Sequence, residues 1–261
     1  MKISTFNLNG ISHRLPLLLR WLAEAAPDVV CLQELNATNA DFPWHVFQEA
    51  GYGAIWQGQP SSIGIAILAK GRDPIEIRRG LPSAEDVGCY LEAAVDEMII
   101  GCVYLANGHR QTNATGDSGL SCFEHFIRHA HSLCAAQQPV VLAGDYNVAP
   151  DDSDLDDTES RRADVRLQQE NRVAYQRLLA QGWIDSLRVL FPQAPLYTFW
   201  DRTRNDWHAN SGLRVDHLLL SARLNARLIA GGVDTWVRDD PRAGDHAPPW
   251  IVLADKRAGT H

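Results

Sequence analysis

Tyr90–Tyr104 reads YLEAAVDEMIIGCVY, two apolar runs joined by the polar pair Asp96-Glu97. Each run has the length and the Val, Ile and Leu content of a strand, and so short a link predicts an antiparallel hairpin. A sheet holding a hairpin is not purely parallel, so a doubly wound parallel sheet fits poorly. Working outward, strand-like runs recur at Ile3–Leu8, Val29–Gln33, Ile63–Ala69, Val140–Ala143, Arg214–Leu220, Gly232–Val237 and Trp250–Leu253. Helical patterns alternate with them. Arg14–Ala26 places Leu15, Leu18, Leu19 and Leu22 on one face, with Pro16 in its first turn and Pro27 at its end. A second helix is expected from Ser121, capped by Ser121 and Glu124, with Phe123, Phe126, Ile127, Ala130 and Cys134 as its apolar stripe. A third covers Glu170–Ala180 and stops at Gly182. The fold class expected is α/β, two packed mixed sheets flanked by helices. No linker, composition break or short repeat divides the chain, so residues 1–261 are expected to form a single catalytic domain.

The 261 residues carry 24 basic and 32 acidic side chains, a net charge of −8, with 45% hydrophobic content. This composition excludes disordered and collagen-like chains. It also argues against holding nucleic acid by bulk positive charge, while leaving room for an enzyme that meets phosphates through a bound cation and a few arginines. The five cysteines (Cys31, Cys89, Cys102, Cys122 and Cys134) form no CxxC and no cluster, so neither a disulfide scaffold nor a zinc site is suggested. The N-terminus reads as a strand rather than a signal peptide, and no run approaches the ~20 apolar residues of a membrane span. A cytoplasmic monomer without membrane attachment is the expectation.

The informative residues are polar ones at the tips of apolar strands: Asn7 and Asn9 in FNLNG, Glu34 after VVCLQ, Asp145 and Asn147 after VVLAG, Asp216 in GLRVDH, and Asp245 and His246 in GDHAP. Buried strands ending in carboxylates and amides bring these groups to one rim of a sheet. Several carboxylates, amides and a histidine suit a hard cation such as Mg²⁺ and the chemistry of phosphoryl transfer.

FNLNG, LQE, VYLANG, GDYNVAP, YTFWD, GLRVDHLLLS and GDHAP, in this order, resemble the exonuclease III branch of the endonuclease/exonuclease/phosphatase superfamily from Met1 to about Leu253. The resemblance implies a four-layered α/β sandwich. It also implies a Mg²⁺-dependent (or Mn²⁺-dependent) DNA-repair nuclease that incises 5′ to abasic sites and trims 3′ ends of duplex DNA. By the same resemblance Glu34 is the principal metal ligand, supported by Asn7, with Asp245 a second metal-side carboxylate and Asn9 alongside. Asp145 activates water, and Asn147 helps hold the water and the phosphate. His246, fixed by Asp216, contacts a phosphate oxygen. Tyr104 donates to the phosphate, with Asn107 and Arg110 nearby, and Phe199, Leu213 and Val215 form the apolar pocket for a base-less sugar. The chain departs from its relatives at Ala106, usually Pro, at Gly244, usually Ser or Thr, and in the lysine-free loop Gln111–Ser121.

Other features read as ordinary surface. The six carboxylates of Asp151–Glu159 lack the Gly and Glu of a calcium loop and are expected to be solvated. The arginines from Arg161 to Arg172 either touch phosphates or balance those acids. His125, His129 and His131 lie off the apolar stripe of their helix and are expected at the surface. A phosphoesterase of the same fold with a non-DNA substrate, or a non-catalytic binding module, are the competing functions.

Overall fold

Val29–Gln33 is apolar throughout because both of its faces are covered. Val29 and Cys31 join one core cluster, and Val30 and Leu32 join another. The computed structural model describes residues 1–58, 64–82, 89–105, 119–155, 169–201 and 206–255. Along the first half run β1 (Lys2–Asn7), α1 (Ile11–Ala25), β2 (Val29–Gln33), α2 (Trp44–Glu49), β3 (Tyr52–Gln57), β4 (Ile65–Lys70), β5 (Ile75–Arg79), β6 (Tyr90–Val95) and β7 (Met98–Tyr104). There follow α3 (Gly119–Ala135), β8 (Val140–Asp145), α4 (Gln169–Leu179), β9 (Ile184–Asp185), α5 (Ser186–Leu190), α6 (Asp206–Ala209), β10 (Asp216–Leu220), α7 (Ala222–Asn225), β11 (Leu228–Val233) and β12 (Pro249–Leu253).

Two six-stranded mixed sheets result, in the orders β11-β12-β1-β2-β4-β3 and β5-β6-β7-β8-β10-β9. β1–β2 and β7–β8 pair in parallel, and the other strand pairs among the described residues are antiparallel, including the hairpin that pairs Val95 with Met98. Asp96 sits in its turn at φ 52°, a left-handed position that Asp tolerates. Between the sheets lie Ile3, Cys31, Ile67, Leu91, Ile100, Cys102, Val141, Leu218 and Ile251. α1 and α2 cover the outer face of the first sheet through Trp21, Leu22 and Phe47, against Phe6, Val30 and Leu68. α3 and α4 cover the second through Phe126, Ala130, Tyr175 and Leu178, against Tyr90, Val140 and Leu142. The architecture is a four-layered α/β sandwich. Burying each large aliphatic side chain contributes about 1.5–3 kcal/mol, so the two-faced apolar strands are what hold the layers together.

Strand parity then places the polar tips. Ile3, Thr5 and Asn7 share a face of β1, as Ile100, Cys102 and Tyr104 do on β7, Val141, Ala143 and Asp145 on β8, and Leu220, Leu218 and Asp216 on β10. The stripes of β7, β8 and β10 are apolar up to the tip residue, and that of β1 carries Thr5 before Asn7. The register sets Tyr104 and Asp216 on either side of Asp145, so these three tips lie in one row at one end of the inter-sheet core.

Several boundaries differ from the sequence reading. α1 begins at Ile11 because the N–H groups of Gly10 and Ile11 donate to the Glu34 and Leu35 carbonyls, so the helix start is anchored tertiarily and Pro16 lies beyond the first turn. α3 begins at Gly119, which puts Ser121 and Glu124 inside the helix rather than at a cap. Thr235–Asp239 is a 3-10 turn and the adjacent strand is Leu228–Val233. β3 and β5 were not legible; β5 is an edge strand with Ile75 and Ile77 exposed, so it lacks the usual alternation toward a core. His129 is buried, not on the surface, because Glu92 reaches up from β6 and meets its Nε2 at 2.7 Å. Among the described residues, no helix is long and apolar enough to cross a membrane.

Candidate active site

Asn7 is the hinge of the cleft. Its fully buried amide Nδ2 donates to Glu34 Oε1 at 3.0 Å and to Asp145 Oδ2 at 2.8 Å. One neutral group thus separates two carboxylates that would otherwise face each other directly. The Tyr104 hydroxyl donates to the same Glu34 Oε1 at 2.9 Å, leaving Oε2 unused by either donor. Glu34 reaches this position from a left-handed backbone (φ 50°), as Asn9 (φ 50°) and Asn147 (φ 51°) do. Three non-glycine residues in that region at one cleft are backbone strain held by the surrounding packing. Asn9 contributes its N–H to Asn7 Oδ1 at 3.0 Å, and its carbonyl accepts from Arg14. A Cβ on Gly244 would lie 3.2 Å from both Arg14 Nε and the Leu8 carbonyl, so the glycine leaves room for that guanidinium.

On the other side of Asp145, His246 Nε2 lies 3.9 Å from Oδ2, and His246 Nδ1 is 2.8 Å from Asp216 Oδ2. Burial pushes the Asp145 carboxyl up to about 7, with the neighbouring Asp216 charge adding to the effect and His246 opposing it. Burial alone would lower the His246 pKa, but the Asp216 charge and hydrogen bond outweigh it and raise it to about 9. Asp216 is held in turn by Thr198, whose Oγ1 accepts the N–H groups of Val215 and Asp216 at 3.1 Å each. Asn147 donates its backbone N–H to Asp145 Oδ1 at 2.9 Å and its side-chain amide to the Leu105 carbonyl at 2.9 Å.

A cation fits this donor set. Asp145, Asp216 and His246 each offer a ligand atom, all within 4.8 Å of one another. Asp216 Oδ1 and Asp245 Oδ1 are buried and have no hydrogen-bond partner among the described residues. Buried carboxylate oxygens without donors are costly unless a cation or solvent meets them. The donors are oxygens and one imidazole, with no thiolate, as hard divalent ions prefer. Within the cluster, His246 Nδ1 is already committed to Asp216, so the histidine–aspartate pair is better suited to hold a proton than a metal.

Phe199, Leu213 and Val215 also come together, in a small apolar cluster with Ala149 and the partly buried Leu155. Leu213 and Val215 are fully covered, and Phe199 is its slightly exposed edge, with its ring 5.1 Å from that of His246. Asn107 and Arg110 lie outside the described residues, as do Ala106 and the loop from Gln111 up to α3.

Sequence reasoning missed a second buried network behind the cleft. Asp154, expected to be solvated, is fully buried because Arg214 grips both of its oxygens, with Nε at 2.5 Å and Nη2 at 3.2 Å, and Arg188 adds an ion pair. Asp185 accepts from the same Arg214 at 2.8 Å and from the Tyr175 hydroxyl at 3.0 Å. Asp151 and Asp152 are exposed as expected, and Arg172 balances Asp152 at 2.9 Å. The one available signal was Arg214 itself, a charge between two apolar pocket residues, which cannot be buried without carboxylate partners.

Fold and site together define an α/β sandwich hydrolase with an acidic cleft at one end of its sheet pair. Residues 4–246 match the model of the endonuclease/exonuclease/phosphatase family, and the chain belongs to that family. Exodeoxyribonuclease III of Haemophilus influenzae is 30% identical over 96% of this chain and 98% of its own length. The 3′ phosphatase NExo from Neisseria, solved bound to a product DNA hairpin, superposes with a TM-score of 0.91 at 30% identity, covering 98% of this chain and 100% of that one. An AP endonuclease from Archaeoglobus fulgidus gives 0.89 at 28% identity, covering 97% and 99%. The chain is thus an exodeoxyribonuclease III-like enzyme of a hydrolase family.

Proposed function

We propose that the chain is a Mg²⁺-dependent DNA-repair nuclease, with Mn²⁺ able to substitute, that trims 3′ ends of duplex DNA and incises 5′ to abasic sites. It would work as a monomeric single domain. The observation that carries this reading is the convergence of Glu34, Asn7 and Asp145 with the Asp216–His246 pair in one cleft. The names of relatives that match nearly the whole chain, an exodeoxyribonuclease III and a 3′ phosphatase bound to DNA, support it.

Glu34 and Asp245 hold the cation, with Asn7 supporting Glu34 and Asn9 alongside. When bound, the ion screens the charge that gathers on the phosphate oxygens. Asp145 takes the proton of the attacking water, and Asn147 orients that water against the phosphate. His246 is cationic at neutral pH through its bond to Asp216, and it donates to a phosphate oxygen. Tyr104 supports Glu34 in the resting site and lies within reach of the same phosphate; Asn107 and Arg110 are assigned phosphate contacts by sequence resemblance alone. Phe199 offers the exposed apolar edge against which a base-less sugar packs, and the fully covered Leu213 and Val215 back it from behind.

The test uses two duplexes, one with a single abasic analogue and one ending in a 3′-phosphate, each with Mg²⁺ and with EDTA. Mg²⁺-dependent product from either supports the reading, and the ratio of the two rates sets the balance between the activities. A second reading, the same chemistry on a non-DNA phosphoester, is favoured by the net charge of −8 and the lysine-free Gln111–Ser121. Hydrolysis of a small phosphoester with neither duplex cut would establish it instead.

A further inference from the structure

We propose that His217 is a positioning residue for the reaction, transmitting the rigidity of the buried Arg214 network to Asn147. The inference rests on the nuclease reading above and adds a residue to it.

β10 turns Asp216 into the cleft and its neighbour His217 to the opposite face, where it is fully buried beside Tyr146 and Tyr175. Its ring nitrogens have different partners. Nε2 lies 2.9 Å from the Val148 carbonyl, which can only accept, so Nε2 carries the hydrogen. Nδ1 lies 3.0 Å from Arg214 Nη1, which can only donate, so Nδ1 presents a lone pair. The Tyr175 hydroxyl, 3.2 Å from Nδ1, gives its hydrogen to Asp185. With this neutral tautomer both ring nitrogens are bonded, and the imidazole becomes a rigid strut between a guanidinium and a peptide carbonyl.

Each end of the strut is fixed or functional. Arg214 is clamped by Asp154 and Asp185 and cannot yield. Val148 directly follows Asn147, which holds a left-handed backbone at φ 51°. That conformation is secured by the Asn147 N–H bond to Asp145 and the side-chain amide bond to the Leu105 carbonyl, while the His217 bond to the Val148 carbonyl fixes the next peptide, Val148–Ala149. Removing the His217 bond frees the Val148–Ala149 peptide and loosens the turn that follows Asn147, while Glu34, Asp216 and His246 keep their partners.

The test compares His217→Leu, which removes both bonds, with His217→Gln, which keeps a donor within reach of Val148. On whichever duplex the wild type turns over fastest, His217→Leu should lower kcat by roughly 10- to 100-fold with KM within about threefold, and His217→Gln should recover most of the loss. If His217 works through Asn147, the Leu change should cost less than about threefold in an Asn147→Ala background. A substrate-free readout accompanies these: amide hydrogen exchange across residues 146–149 should quicken in His217→Leu, at an unchanged exchange rate in β8, and return toward wild type in His217→Gln. Should His217→Leu not fold, His217→Asn keeps an acceptor for Arg214 and falls short of Val148, and the same comparisons apply to it. Unchanged exchange across 146–149, multiplicative effects with Asn147→Ala, or a raised KM at constant kcat would overturn the proposal. If the wild type cuts no DNA, the nuclease reading fails by itself, and hydrogen exchange alone decides the link from His217 to Asn147.

Discussion

Two buried clusters of charge lie back to back across β10, and they are built on opposite rules. Behind the strand, Asp154 and Asp185 face Arg188 and Arg214, two anions against two cations, and all four carboxylate oxygens accept hydrogen bonds. In front, Asp145, Asp216 and Glu34 face the imidazole of His246, and among the described residues Asp216 Oδ1 and the neighbouring Asp245 Oδ1 are left without donors. The first cluster is electrostatically complete and serves as an anchor. The second is complete only when something positive enters, as a site for a cation and an anionic substrate requires. Satisfaction of hydrogen bonds, more than burial or charge count, separates the structural network from the functional one.

The comparison can be broken most sharply at Asp145. Asp145→Asn keeps an oxygen for the Asn7 bond but loses the base, so kcat should fall by about 10³–10⁴-fold. The same change relieves repulsion with Asp216, so the melting temperature should rise by a few degrees, on the order of 1 kcal/mol for a chain of this size. A variant that loses activity and also melts lower would contradict the contrast between the clusters. In the anchor, Arg214→Met should do the reverse. It leaves the buried Asp185 without its cation and Asp154 with Arg188 alone, and should cost about 3–5 kcal/mol in a urea titration. Stability within about 1 kcal/mol of wild type would show that Asp154 and Asp185 find other partners.

pH sharpens the contrast further. In the cleft, turnover requires ionised Asp145 and protonated His246. The kcat/KM profile should therefore rise through about pH 7 and fall above about pH 9, changing roughly tenfold per pH unit on each limb. Saturating Mg²⁺ should move the acid limb to lower pH, because the ion favours the carboxylate form. In the anchor, burial and the Arg214 charge push His217 down to about 4, below its unfolded value near 6.5. Between those values the unfolded chain binds a proton that the folded one does not, so stability should be lost as pH falls from about 6.5 to 4. The sign is opposite for His246, whose contribution is present below about 6.5 and lost as pH rises through about 9. The smallest effect concerns salt. With a net charge of −8, few phosphates should be neutralised on binding, giving a log–log salt slope of about −3 or shallower, at about −0.9 per phosphate. A steeper slope in a duplex-binding titration would reveal a basic face.

Much of the cleft was legible because its residues stand at strand tips. A largely apolar strand with Asn7, Glu34, Asp145 or Asp216 at its tip marks both a buried strand and its polar end. The hairpin at Asp96-Glu97 was equally readable from two apolar runs and a two-residue link. The anchor was not. Asp154 lies in a run of acids that reads as solvated, and its partners Asp185 and Arg214 are distant in sequence, so no local pattern joins them. His129 failed for the same reason: its place off the apolar stripe of α3 says surface, and only the Glu92 carboxylate beneath it makes burial tolerable. β3 and β5 were missed because β3 is half-exposed between its two ends and β5 is largely exposed, and strand periodicity is visible only when one face is buried.

The amino-acid order by itself determined which segments are strands buried on both faces, where they end, and which polar side chains those ends carry, because these depend on near-neighbour patterns of apolar and polar residues. Only the tertiary structure decided which carboxylates meet a cation of the protein's own and which are left to wait for one. That choice depends on charges brought together from segments as far apart as Asp154 and Arg214, or Asn7 and Asp145, and an ion pair of that kind leaves no periodic trace along the chain.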